Sequence, residues 1–192
     1  LGHRVSHLPL LTIQKLDYEQ IIFSDFKGII FTSANAVKFL DLKSIDKNLP
    51  CFCVGDATEK QVRSVGFQNV ISAEGNVENL KELVLQNFDQ KDGTLIYISG
   101  ETVSVDLDQQ LIKEGYNIKR VINYCTTHNQ NFDDKFVDEL KIKMPDIVYV
   151  YSKNSAISLL NFIKMYQSES LWMNTSLMCI GEKTSSILNE IK

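Results

Sequence analysis

Apolar residues recur along the chain in short, nearly continuous runs that alternate with longer mixed segments. The runs are rich in Val, Ile, Phe, Tyr and Cys, and they occupy residues 5–11, 28–32, 51–54, 70–71, 94–99, 118–124, 146–151 and 177–180. Continuous apolarity, rather than alternation of apolar and polar residues, is typical of parallel strands that are buried on both faces. We therefore expect these runs to form the strands of parallel sheets.

The segments between the runs carry apolar residues at helical spacing. They predict helices over residues 36–42, 58–65, 77–88, 107–114, 132–140, 155–166 and 183–191. Strands that alternate with helices are typical of βαβ units, in which right-handed crossovers place helices on both faces of a sheet. The pattern thus predicts an α/β protein.

Size, composition and charge narrow the function classes. The 192 residues can form one large domain or two small ones, and contents of 44% hydrophobic and 23% charged residues are close to globular averages. The net charge of −4 and the scattered Lys and Arg residues argue against a nucleic-acid or anionic-membrane partner. No stretch approaches the roughly 20 apolar residues that a membrane span requires.

The four cysteines bear on cellular location and on metal binding. Cys51, Cys53 and Cys179 lie in apolar runs, where we expect them to be small core residues of a protein in the reducing cytoplasm. A Cys-x-Cys metal site is the alternative interpretation. It lacks a second Cys or His pair at ligand spacing, so we expect no metal.

An internal repeat is the most informative feature. Residues 28–35 and 147–154 are each an apolar strand that ends in Ser-x-Asn and opens a helix. Residues 53–58 and 179–184 both fit the pattern Cys-aliphatic-Gly-acid-x-Thr. Because the two motifs follow in the same order in both halves, the chain is predicted to contain a duplicated unit.

The repeated residue types favour binding of an anion. In open parallel sheets, ligands bind beyond the carboxyl ends of the strands, where helix N-termini offer free N–H groups to carboxylate or phosphate. Each Ser, Asn or Thr taken singly is also an ordinary helix cap. The duplication favours function, and the candidate binding residues are Ser33, Asn35, Gly55, Thr58, Ser152, Asn154, Gly181 and Thr184.

Six motifs in order resemble the uroporphyrinogen-III synthase family. Each is weak alone, but together they cover essentially the whole chain. They are Phe-Thr-Ser at 31–33, Val-Gly-Asp-Ala-Thr at 54–58, Ile-Ser-Gly at 98–100, Gly-Tyr at 115–116 before a strand that ends in Tyr124, Tyr-Ser at 151–152, and Ile-Gly-Glu-Lys-Thr at 180–184.

The resemblance implies two flavodoxin-like lobes with parallel sheets, joined by a two-stranded connection. Residues 1–13 and 127–192 would form the first lobe, and residues 14–126 the second. The chain is expected to cross between them in the polar interval at residues 126–131. Relatives have a further strand and helix before the position of Leu1 and after that of Lys192, so the first lobe would lack terminal elements.

The resemblance also implies an activity. The substrate would be hydroxymethylbilane, a linear tetrapyrrole with many carboxylates, which is closed to uroporphyrinogen III with loss of water and inversion of the last pyrrole through a spiro intermediate. No metal or organic cofactor takes part. The enzyme is expected to be a cytoplasmic monomer in haem biosynthesis that contacts hydroxymethylbilane synthase transiently.

Site residues follow from the same resemblance. Tyr124 matches the tyrosine suspected of donating a proton to the leaving hydroxyl, since a phenol is protonated at neutral pH. A packed tyrosine with a solvated hydroxyl is the alternative. Ser99 and Gly100 join the substrate-binding set, whereas the basic residue that many relatives carry shortly after this glycine is absent from residues 101–106.

Two other functions are compatible with the sequence. A non-catalytic, two-lobed ligand-binding or regulatory module would have the same architecture, because fold does not fix chemistry. A phosphate-binding α/β enzyme such as a nucleotide-sugar transferase is less favoured, because neither Gly-x4-Gly-Lys-Ser/Thr nor Gly-x-Gly-x-x-Gly occurs.

Overall fold

The computed structural model describes Gly2 and residues 4–191, without the side chain of Lys183. It divides into two compact units: unit 1 comprises Leu1–Thr12 and Thr127–Lys192, and unit 2 comprises Ile13–Thr126. Leu1, His3 and Lys192, which the predicted first lobe includes, lie outside the described residues.

A six-stranded sheet is the centre of unit 2. Its strands are β1 (Leu11–Lys15), β2 (Phe26–Phe31), β3 (Cys51–Val54), β4 (Val70–Ala73), β5 (Thr94–Gly100) and β6 (Asn117–His128). They lie in the order β1-β6-β5-β2-β3-β4, and every pair from β6 to β4 is parallel. The helices are α1 (Ala34–Lys38), α2 (Asp56–Ser64), α3 (Val77–Asn87) and α4 (Leu107–Lys113). The prediction of an α/β protein with a mostly parallel sheet is confirmed.

Successive residues of the central strands enter two different cores, as the period of a strand requires. Ile29 and Phe31 pack with α1 and α2 on one face. Ile30 and Leu95 pack with α3 and α4 on the other. Because both faces are covered, these strands need apolar residues at nearly every position.

Counted from β2, the parallel strands are arranged in the order 3-2-1-4-5. The order differs from the 2-1-3-4-5 order of flavodoxin, although both arrangements reverse direction at one point in the sheet. Here the reversal lies between β2 and β5, which are neighbours although two other strands separate them in the chain. This switch point fixes where a ligand site is expected.

Unit 1 contains the two-stranded parallel sheet of β7 (Ile147–Val150) and β8 (Ser176–Cys179). Its helices are α5 (Asp134–Ile142), α6 (Lys153–Met165), α7 (Glu169–Trp172) and α8 (Glu182–Leu188). One core holds them together, with Leu159, Phe162 and Trp172 among its buried residues.

The predicted repeat has a structural counterpart in the strand register. Phe31 pairs with Cys53 between β2 and β3, and Val150 pairs with Cys179 between β7 and β8. The sequence repeat aligns these same positions with one another. Each copy is therefore a strand, a helix and a parallel neighbouring strand in matching register, with the short helix α7 added before β8 in the second copy.

The first predicted strand, at residues 5–11, is wrong. Residues 4–10 form no strand, and β1 occupies Leu11–Lys15 instead. Leu8 and Leu10 do contribute apolar side chains to the core of unit 1, but Pro9 between them has no N–H for a ladder. The expected loop at residues 126–131 is partly strand, because β6 continues to His128.

Candidate functional site

A cleft of about 170 Å³ lies in unit 2 at the carboxyl ends of β2, β5 and β6. It coincides with the switch point between β2 and β5, where open α/β sheets bind ligands. Six of its nine lining residues carry hydroxyl groups, and none carries a charge. The lining consists of Thr32, Ser33, Val77, Tyr97, Thr102, Val103, Ser104, Val105 and Tyr124.

Tyr124 reaches this cleft from β6, and Gly100 leaves the space for its ring. A Cβ added at Gly100 would lie 2.6 Å from Cζ and 2.9 Å from Oη of Tyr124. A β-bulge brings the two together, because the register between β5 and β6 shifts by one residue between Ser99 and Gly100. The extra residue is Asn123, which is fully buried and donates through Nδ2 to the Ala36 carbonyl at 2.8 Å.

Ser99 is fully buried behind the cleft, where its hydroxyl serves a protein contact. Its Oγ accepts from Arg120 Nε at 2.8 Å, and it donates to the Gly100 carbonyl at 3.0 Å. A role of Ser99 in binding substrate stays a prediction.

Residues 101–106 contain no Lys or Arg, but the side chain of Arg120 reaches the loop that follows Gly100. It arises from β6, and its Nη2 donates to the carbonyls of Gly100 and Glu101 at 3.0 and 3.2 Å. Nη1 lies 4.0 Å from the Oδ1 atom of buried Asp108. Because Nη2 donates to two successive main-chain oxygens, Arg120 fixes the loop that follows β5. The sequence analysis missed it, since the contact depends on the β5–β6 register.

Tyr97 is a second tyrosine of the cleft that the sequence analysis missed. It is 1% exposed, and its Oη lies 2.9 Å from Thr32 Oγ1 on the neighbouring strand. Burial raises the pKa of Tyr97, against smaller opposing effects of the Thr32 hydrogen bond and the Arg120 charge. A tyrosine inside an otherwise apolar strand was the available signal, because a buried phenol requires a polar partner.

The two Ser-x-Asn motifs form helix caps. Ser33 Oγ accepts from the Asn35 backbone N–H at 3.2 Å, and Ser152 Oγ accepts from that of Ser155 at 3.1 Å. Of the four predicted residues, Ser33 lines the cleft of unit 2, whereas half-buried Asn35 lies in the first turn of α1 outside the lining. Ser152 and Asn154 occupy the matching positions at the start of α6 in unit 1.

The two glycine–threonine motifs also match in part. Thr58 and Thr184 are each 4% exposed, and each backbone N–H donates at 3.0 Å to the carbonyl of the glycine three residues earlier. Gly55 has a φ of +81°, which favours glycine, whereas Gly181 has an extended φ of −177° that any residue adopts. The left-handed glycine conformation thus occurs in the loop of unit 2 and not in the matching loop of unit 1.

Among Gly2 and residues 4–191, no three His, Cys, Asp or Glu side chains are grouped so that they could hold a metal ion. Within the same residues, no helix has the length and apolarity needed to cross a membrane.

Comparison with known proteins places the chain in a family. The profile described as "Uroporphyrinogen-III synthase HemD" matches residues 1–192. Uroporphyrinogen-III synthase of Schizosaccharomyces pombe is 25% identical over 185 residues, which cover 85% of this chain and 72% of the relative.

Solved structures agree in fold. Uroporphyrinogen-III synthetase from Helicobacter pylori superposes with a TM-score of 0.71 at 19% identity, covering 98% of this chain and 85% of that one. A mutant uroporphyrinogen III synthase from Thermus thermophilus has a TM-score of 0.55 at 14% identity, covering 95% and 78% of the two chains. Since the family profile matches throughout, the chain belongs to the uroporphyrinogen-III synthase family.

Proposed function

We propose that the chain acts as a uroporphyrinogen-III synthase, a hydro-lyase that closes hydroxymethylbilane to uroporphyrinogen III with loss of water. Family membership supports this activity. The observation that carries it is the position of Tyr124, which lies over Gly100 in a hydroxyl-lined cleft at the switch point of the sheet.

The chemistry of the cleft suits this reaction. The hydroxyl that leaves the substrate needs a proton, and Tyr124 offers one at the cleft wall. The substrate is flexible and bears carboxylates, for which the neutral hydroxyls of Thr32, Ser33 and Ser104 are hydrogen-bond donors. Much of the rate would come from holding the two ends of the chain near each other.

The substrate-binding roles of the remaining residues belong to the same proposal. Ser33 would contact substrate directly. Gly55 and Thr58 in unit 2 would shape the loop after β3, as would Gly181 and Thr184 the loop after β8 in unit 1. Asn35, Ser152 and Asn154 would act through the first turns of α1 and α6.

The domain organisation and the cellular location also belong to the proposal. We infer that units 1 and 2 correspond to the two lobes expected of the family, although the strand order in unit 2 is not that of flavodoxin; the predicted boundaries at residues 13–14 and 126–127 lie within one residue of those of the units. Cys51, Cys53, Cys125 and Cys179 are free thiols, which favours a reducing compartment such as the cytoplasm. A transient contact with hydroxymethylbilane synthase would deliver the unstable substrate, and a cross-linking experiment between the two proteins would test it.

The isomer of the product tests the activity. The purified chain is given hydroxymethylbilane, and the oxidised products are separated by chromatography. We expect the type III isomer. Formation of the type I isomer alone, which arises spontaneously, would contradict the proposal and favour a non-catalytic ligand-binding module.

A further inference from the structure

Thr32 and Tyr97 form a hydroxyl pair in the cleft. They lie on the neighbouring strands β2 and β5, where the register pairs Ile30 with Tyr97 and places Thr32 just beyond the end of β2. Their oxygens are 2.9 Å apart, and both residues line the cleft. The pair thus brings two hydroxyl groups from different strands to one point on the cleft wall.

Counting hydrogens shows that the pair retains an unused donor. Each hydroxyl has one hydrogen, and the shared hydrogen bond uses one of the two, whichever residue donates it. Among the described residues, neither oxygen makes another side-chain hydrogen bond to the protein. One hydroxyl hydrogen is therefore left for a ligand in the cleft.

The surroundings keep this donor in its neutral form. Tyr97 is almost completely buried, and burial raises the pKa of its phenol, so the phenol remains protonated at neutral pH. The Arg120 guanidinium carbon lies 5.9 Å from the centre of the Tyr97 ring. This cation donates to Ser99 and to two main-chain carbonyls and lies 4.0 Å from the Asp108 carboxylate, so the fixed charges beside the pair offset each other and the hydroxyl hydrogen is the group offered to an anion.

Resting on the proposed function, we propose that the Thr32–Tyr97 pair binds a carboxylate of the linear tetrapyrrole and that Tyr97 is a substrate-binding residue with a role distinct from that of Tyr124. A carboxylate oxygen is the acceptor that gains most from a neutral hydroxyl donor, because a charge-assisted hydrogen bond is stronger than a neutral one. The 2.9 Å hydrogen bond between the two hydroxyls also holds both oxygens in place, which orients the ligand before reaction.

Conservative variants test the pair as a unit. Tyr97→Phe and Thr32→Val each remove one hydroxyl with little change of shape, and the double variant removes both. Hydroxymethylbilane KM should rise about tenfold in each single variant, with kcat changed by less than about threefold. The double variant should show a larger rise of KM than either single variant, because each single variant keeps one hydroxyl hydrogen without its orienting partner and the double variant keeps none. Unchanged KM in both single variants, or a loss confined to kcat, would overturn the proposal.

Tyr116→Phe is the matched control. Tyr116 is a buried tyrosine of the same unit whose hydroxyl donates to the Phe88 carbonyl at 3.0 Å, away from the cleft lining. This variant should lose stability and retain the wild-type KM. An equal rise of KM in Tyr116→Phe would show that the Tyr97 effect is only structural and would overturn the binding role.

Equilibrium binding separates this proposal from the proposed activity. Uroporphyrin III, the stable oxidised form of the product, is titrated into each protein and followed by porphyrin fluorescence. Weaker binding by Tyr97→Phe, with wild-type binding by Tyr116→Phe, supports the carboxylate site whether or not the wild-type chain produces the type III isomer. Equal binding by all three proteins would overturn the site without bearing on the isomer assay.

Discussion

In unit 2, strands β2 and β3 of the repeat are buried on both faces, whereas β7 and β8 of unit 1 bury one face and expose the other. All four residues of β3 are buried. In unit 1, Tyr149 on β7 is 61% exposed and Met178 on β8 is 53% exposed. The caps, the buried threonines and the register nevertheless match between the copies. Local sequence thus determines the strand–helix loops, and burial depends on the neighbouring elements.

The cleft depends on elements that the repeat does not contain. Tyr97 and Tyr124 arise from β5 and β6, which extend the sheet beside β2. The described part of unit 1 has no strand paired with β7 other than β8. The two tyrosines of the cleft thus lie on strands outside the repeat, and the following variants test the consequence of this difference, from the largest expected effect to the smallest.

Replacing Tyr124 with Phe should have the largest effect on turnover. The variant loses only a hydroxyl, so kcat should fall by about 100-fold or more while the free energy of unfolding changes little. Tyr149→Phe, at an exposed tyrosine of the other copy, is the control and should retain wild-type kcat. Stopped assays with hydroxymethylbilane would measure both. Wild-type turnover by Tyr124→Phe would exclude it as the proton donor.

Gly100→Ala should disturb the same tyrosine through its position. The added Cβ would overlap the Tyr124 ring, so we expect kcat to fall by roughly 100-fold, since small misplacements have effects of this size. Gly28→Ala is a matched control, because its Cβ would lie 2.7 Å from Leu95 Cδ2, away from the cleft lining. That variant should lose about 1–3 kcal/mol of stability and keep its kcat. Equal kcat in the two variants would refute the positioning role of Gly100.

The two repeat glycines should respond differently to alanine. Gly55→Ala forces a residue with a Cβ into a φ of +81°, which costs about 2 kcal/mol, whereas Gly181→Ala faces no strain and no contact within 4 Å. Urea denaturation of both variants would measure the difference. A similar loss in both would mean that the two loops share a conformation in solution.

The two repeat threonines should respond alike. Thr58→Val and Thr184→Val each remove a buried hydroxyl, and each should lower the free energy of unfolding by about 1 kcal/mol and raise KM several-fold. Ser24→Ala, at an exposed serine away from the cleft lining, provides the control. If KM and stability are both unchanged, the threonines are neither binding residues nor supports of their loops.

Alkaline pH should lower the free energy of unfolding through two buried cysteines of unit 2. Burial raises the pKa of Cys51 and Cys53 above the ordinary value of 9.0. The unfolded chain therefore releases these thiol protons first, and stability that is complete below pH 9 should decline as the pH rises above it. Thermal unfolding between pH 8 and pH 10 would measure the decline. Cys51→Ala should reduce the slope and Cys125→Ala should not; equal slopes would contradict the assignment.

Much of the fold was predictable because a strand that is buried on both faces is a continuous run of apolar residues. The runs that became β2 to β5 were recognised from continuous apolarity, and β3 was predicted at its observed bounds. Strand β1 was missed because four of its five residues are exposed, so its sequence, which includes polar residues, is not a continuous apolar run. The five-residue helix α1 was predicted too far along the chain, since its end is set by packing rather than by periodicity.

The site was predictable only where a motif carried it. Tyr124, Ser33 and Gly100 were found from their motifs. Tyr97 and Arg120 were missed because their partners lie on neighbouring strands, and neither the order of those strands nor their register can be read from one sequence. The bulge at Asn123 adds an offset of one residue that determines which side chain meets Gly100.

Thr12 and Thr127 are in contact where the chain leaves unit 1 and returns to it, since Thr127 Oγ1 donates to the Thr12 carbonyl at 3.3 Å. Residues 13–126 are thus an insertion into unit 1 whose two ends lie close together. Bringing together the ends of this segment while it is unfolded has an entropic cost. That cost disappears once unit 2 has folded, because the folded unit holds its two ends together. We therefore expect the folding order to be fixed, with residues 13–126 first. Damage to unit 2 would then delay the assembly of unit 1 even where unit 1 is intact.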